Sequence, residues 1–240
     1  MIEQQEENQF YIQYHNSFHA IKVYENHFMN CDIKVESDIY IDDEYWSLNG
    51  IDSDIDLILL KLQLFFDLCL NNSIIFSIKN DFMMNIALDK KNNKKNINNN
   101  IILTPGDPTD DHLTLLLQSK FNAIGNEKVL FTSLLIENKR SKNLKFIFVG
   151  EGSEVLPEKN VDWIEGICYH TKPWWCRNDL TTMDLPKMGN FERPFYDLSF
   201  DNILNNDFLN FSDRNIMENG EAKIIRPKFK PTIIKNDDKN

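Results

Sequence analysis

Residues 109–149 read TDDHLTLLLQSKFNAIGNEKVLFTSLLIENKRSKNLKFIFV, and this stretch alone calls for both a helix and a sheet. Leu113, Leu116, Leu117, Phe121 and Ile124 recur at three- and four-residue spacing, which winds them onto one face of a helix. Thr109, Asp110 and Asp111 offer oxygens to the free N–H groups at its start and negative charge to the positive end of its dipole. Gly125-Asn126 stops it, so the spacing predicts a helix over 110–124. Directly after it, Val129 to Ile136 and Asn143 to Val149 are dense in residues that suit a pleated surface. They flank the polar run Asn138-Lys139-Arg140-Ser141-Lys142, which predicts a hairpin.

Working back toward the N-terminus, Asp52-Ser53-Asp54-Ile55-Asp56 precedes the apolar run Leu57 to Leu70. Acidic residues ahead of a Leu-rich segment mark a helix start, which predicts a helix over 54–70 buried on most sides. Asp52-x-Asp54-x-Asp56 also looks like the opening of a calcium loop. The Gly and Glu that such a loop needs are replaced by Leu57 and Gln63, so capping is the better account. Patches rich in Phe, Tyr, Ile and Val predict strands near 9–15, 18–24 and 31–41, and again near 73–79 and 82–88. The run KKNNKKNINNN over 90–100 has no apolar face and reads as a surface loop.

Beyond Gly150 the periodicity fades. Residues 151–215 hold Trp163, Trp174, Trp175, repeated Phe and several Pro, which predicts an irregular aromatic-rich segment with a short helix near 200–210. Pro227 and Pro231 among Arg226, Lys228, Lys230 and Lys235 predict an extended basic tail over 223–240. The fold class expected is therefore α+β. It consists of a mainly antiparallel sheet, two principal helices (about 54–70 and 110–124) and an irregular C-terminal segment, all in a single domain spanning 1–222.

The net charge of −11 is unevenly placed. Residues 1–60 hold thirteen acidic side chains against Lys22 and Lys34, so the remaining residues are balanced. Such a face repels nucleic acid and suits a basic partner. The apolar run ending at Leu70 is broken by Lys61, Gln63 and Asp67 and is too short to span a bilayer. The start of the chain carries three Glu and no apolar stretch. Cys31, Cys69, Cys168 and Cys176 are scattered, as in a reducing compartment, and a cytoplasmic location is expected.

Two sets of side chains have ligand chemistry. His15, His19, His27 and Cys31 fall at spacings that share a face, and Cys168-x-His170-x5-Cys176 would take a fourth ligand from elsewhere, such as His112. Neither shows the tight Cys pairs of a zinc module. Asp110-Asp111-His112 is explained by helix capping without acid–base catalysis, and Gly150-Glu151-Gly152 is a turn rather than a dinucleotide loop. No nucleophile elbow, phosphate loop or cofactor motif is present, so no cofactor is expected.

Tyr169-His170-Thr171-Lys172-Pro173-Trp174-Trp175 reads as a packing or binding feature, because two indoles in extended backbone cannot both face one core. One is expected inside and the other at a surface. These features predict a non-enzymatic protein that binds another protein as an assembly component, adaptor or immunity-type inhibitor. Asp42, Asp43, Glu44, Tyr169, Trp174 and Trp175 are its expected contacts. The alternatives are a metal-dependent hydrolase or nuclease, or a nucleic-acid-associated factor contacting through its basic tail.

Overall fold

The computed structural model describes residues 11–41, 45–47, 50–51, 53–88, 100–140, 144–150, 155–159, 162–164, 170–184 and 199–200. All of them lie within Met1–Asn202, the larger of the two units into which the chain divides. The basic tail, the domain boundary near 222, the loop over 90–100 except Asn100, and all but one residue of the helix expected near 200–210 lie outside the described residues.

The architecture is mixed, as expected: among the described residues, a seven-stranded, mostly antiparallel sheet with three α-helices. Its spine is a long hairpin of β1 (Tyr11–Tyr24) and β2 (His27–Ile41), paired residue for residue from Tyr11↔Tyr40 to Tyr24↔His27. Polar residues near His15, Asn16 and Ser17 are no break, so the two short strands expected here are one. His15, Ser17 and His19 take the outward positions of a period-two strand while Phe18 and Ala20 face in. On β2 the inward set is Cys31, Ile33, Val35, Ser37, Ile39 and Ile41.

A two-stranded ribbon follows, β3 (Trp46–Ser47) with β4 (Gly50–Ile51). Helix α1 (Ser53–Phe65) starts where the aspartates indicate and ends in a π-turn, Phe66–Leu70. Strand β5 (Ser73–Ser77) then lies parallel to β1. Helix α2 (Asp81–Leu88) corrects the strand expected over 82–88. Asn80 decides it: its side-chain oxygen accepts from the Met83 N–H at 3.0 Å and its carbonyl from Met84 N–H, capping a helix. Met83, Ile86 and Ala87 then meet Val23, Phe76 and Leu103.

Strand β6 (Ile101–Thr104), unexpected from the sequence, runs parallel to β5. Helix α3 (Asp110–Gly125) closes on Asn126 in the left-handed conformation at φ 51°. Strands β7 (Val129–Phe131), β8 (Ser133–Asn138) and β9 (Lys145–Val149) complete the sheet in the order β6-β5-β1-β2-β8-β9, with β7 also on β2.

The register gives the sheet two different faces. Helices α1 and α3 cover one, around an aromatic centre where Phe66 and Phe121 lie 5.4 Å apart and Phe121 and Phe131 5.2 Å apart. Helix α2 covers only the β1-β5-β6 end of the other face. The remainder of that face is open among the described residues.

Candidate binding surface

The aromatic segment turns inward. Trp174 and Trp175 form a short 3-10 turn with Cys176, and both indoles are fully buried. This corrects the expectation that one would face outward. Trp174 Nε1 donates to the Leu103 carbonyl at 2.8 Å, while Trp175 packs on Trp163 at 5.0 Å and its Nε1 has no hydrogen-bond partner among the described residues.

A buried ionic network holds this turn. Lys120, fully buried on α3, donates to the Trp174 carbonyl at 3.0 Å, the Arg177 carbonyl at 2.8 Å and Asp179 Oδ1 at 3.0 Å. Arg177 in turn donates to Asp179 at 3.0 Å and to Asp184 at 2.6 Å, and Asp184 accepts the Trp174 N–H at 2.7 Å. Burial lowers the Lys120 ammonium to about 8 against the pull of Asp179. Burial would raise Asp179, but the Lys120 charge, the Thr181 hydroxyl and Arg177 outweigh it and hold that carboxyl at about 2. Burial raises Asp184 despite Arg177. Every donor of Lys120 is met, so the network works as a fastener.

What it fastens is one edge of the sheet. The Leu103 N–H donates to the Thr182 carbonyl at 2.9 Å and the Thr182 hydroxyl to the Ile101 carbonyl at 2.6 Å, so residues 181–184 cover β6. At the other edge, β9 pairs with β8 alone among the described residues. Lys145, Ile147 and Val149 stand on the open face, opposite Glu137, Leu135 and Ser133. Ile147 is 63% exposed and Val149 72%, with Leu144 just ahead at 60%. An unpaired strand edge with exposed branched side chains is the kind of feature that soluble proteins normally cover or charge.

Beside that apolar strip the open face carries a charge ladder. His15 faces Glu36 at 3.8 Å, Lys34 pairs with Glu36, Lys145 pairs with Glu137 at 3.2 Å, and His19 contacts Asp32. The Lys34 hydrogen bond lowers the Glu36 carboxyl. Asp32, Glu36, Asp38 and Glu137 stand against Lys34, Lys145 and Arg140, which leaves this part of the face with an excess of one carboxylate.

The candidate metal ligands are not gathered: no group of three or more His, Cys, Asp or Glu suited to a metal occurs among the described residues. His15 and His19 pair with carboxylates, and Cys31 is buried on the helix side. His112 reaches the Asp107 carbonyl at 3.2 Å, and Cys176 sits 3.9 Å from the Ser119 hydroxyl with its thiol raised by burial. Cys168, Tyr169, Asp42, Asp43 and Glu44 lie outside the described residues. No described helix is long and apolar enough to cross a membrane. Sequence reasoning missed the β9 edge as a surface, although Leu144-Lys145-Phe146-Ile147-Phe148-Val149 holds a single charge.

Comparison with protein-family models finds none that matches, and comparison with curated proteins finds no match. Among solved structures the chain is similar to the crystal structure of an uncharacterized protein from Wolinella succinogenes. The identity is 13% and the TM-score 0.41, with 60% of this chain and 100% of that chain covered, a likeness too loose to carry an argument.

Proposed function

We propose that the chain is a non-enzymatic binding protein whose partner, another protein, adds an extended segment to β9 and lies over the acidic open face. The observation that supports this most is the contrast between the two edges. Residues 181–184 cover β6, while β9 presents Ile147 and Val149 beside an unpaired backbone edge among the described residues. Strand addition supplies backbone hydrogen bonds for affinity and alternate side-chain contacts for specificity. The excess carboxylate on the neighbouring ladder favours a basic partner segment.

This reading moves the binding role from Trp174 and Trp175, which are buried, to the opposite edge of the sheet. The test is co-purification of the wild type and an Ile147→Lys/Val149→Lys double variant from the chain's own source. The wild type is expected to carry a stoichiometric protein partner and the variant none. Retention of the same partner by both, or its absence from both, would overturn the proposal.

A further inference from the structure

The open face also holds a shallow cavity of about 320 Å³, away from β9, between the β1–β2 hairpin, the start of β5 and the turn after β8. Its floor is the sheet at Ala20, Cys31 and Ser73, which are register partners across β5, β1 and β2. Their side chains are buried on the helix face, so the Ser73 hydroxyl, unpartnered among the described residues, belongs to that layer. The walls are polar: Asn72, His19, Asp32, Asn30 and Arg140, with Ile21 as the apolar element.

Arg140 and Asp32 both line this cavity and form no ion pair with each other. His19 Nδ1 contacts Asp32 Oδ1, which fixes the ring and occupies one carboxylate oxygen. No hydrogen bond among the described residues reaches the second oxygen of Asp32. Arg140 comes from a different element, the turn after β8, and pairs with no carboxylate among the described residues. Thus Arg140 and Asp32, which form no ion pair with each other, line one concave site together with Asn30 and Asn72. A planar fork matches a carboxylate through two parallel hydrogen bonds, and a free carboxylate oxygen accepts from an ammonium group. The volume lies at the small end of the range for ligand sites.

We propose that this cavity binds a small zwitterion of the α-amino-acid class, with its carboxylate on Arg140 and its ammonium on Asp32. The amides of Asn30 and Asn72 orient it, and Ile21 contacts its aliphatic part. The site lies away from the β9 edge, shares His19 and Asp32 with the acidic face, and its chemistry does not depend on the protein-binding role.

The experiment is calorimetric titration of the full chain with the common α-amino acids, one at a time, at millimolar concentration. Acetate and methylamine, each bearing half of the charge pattern, serve as comparison probes. At least one amino acid is expected to bind saturably, and each comparison probe about tenfold or more weakly. Arg140→Ala and Asp32→Asn, whose folding is checked by their urea midpoints, are each expected to weaken binding about tenfold or more. Ile147→Lys is expected to leave it unchanged. Absence of saturable binding by every amino acid, equal binding by acetate, or undiminished binding in both variants overturns the proposal.

Discussion

Lys120 concentrates the chemistry of the buried network at one atom. Its Nζ is fully enclosed and meets two carbonyls and Asp179, so removing the amine leaves a half-buried carboxylate with only Arg177 and Thr181, among the described residues, to meet it. Lys120→Met is expected to cost about 3 kcal/mol in a urea melt, since breaking a buried ion pair from one side is among the costlier substitutions. Asp179 sets the acid limb. Its folded value of about 2 lies below its ordinary 3.8, so the folded state holds fewer protons in that interval. The stability it contributes is full above about pH 4 and is lost as pH falls toward about 2, a loss that Asp179→Asn should flatten. Lys120 is shifted in the same direction, which for a cation is a cost: its folded value of about 8 lies below 10.5. The unfolded chain therefore binds more protons above pH 8, and stability from this group rises with pH there. The clean window is pH 8–9, below the 9.0 at which an ordinary thiol ionises, because burial lifts Cys69 to about 12 and that works in the other direction. The rise should be absent in Lys120→Met. This lysine was legible in part. Position 120 falls three and four residues after Leu117 and Leu116, on the apolar stripe of the predicted helix, although its partners more than fifty residues away were not.

At the scale of elements, the sequence was most readable where one periodicity held without interference. Helix α3, the start of α1 and the β8–β9 hairpin fall where the apolar spacing and the acidic first turns place them, although Thr109 makes no side-chain capping hydrogen bond. It was least readable where a short apolar run fits either period. Phe82 to Leu88 has the density of a strand, yet the Asn80 cap and packing of Met83, Ile86 and Ala87 on one side make it α2. Asn80→Ala is expected to lose about 1 kcal/mol in the same urea assay, the usual loss for a capping side chain. Strand β6 is four residues long, and its strand character comes from pairing with β5 and from residues 181–184 on its far side. Neither neighbour is adjacent in sequence. Strand β9 supplies the complementary test: Ile147 and Val149 are so exposed that Ile147→Lys/Val149→Lys should change stability by less than about 0.5 kcal/mol. A larger loss would mean that these side chains support the fold itself.

Across the described part of the molecule, the sheet is finished at one edge and unfinished at the other, and the candidate surface follows from that asymmetry. The indoles that the sequence offered as an interface belong to the finished edge. Trp175→Ala should therefore behave as a core truncation, costing about 3–5 kcal/mol by denaturant melt, and not as a selective loss of binding. The candidate surface was hard to read because exposure on a strand depends on what pairs beside it, which local sequence does not encode. The most direct measurement is amide hydrogen exchange across β9 in the protein alone and in its complex with the co-purified partner. The account predicts that exchange over 145–149 slows at least about tenfold in the complex, while 174–184 is unchanged. Unchanged exchange in β9, with protection appearing elsewhere, would contradict it.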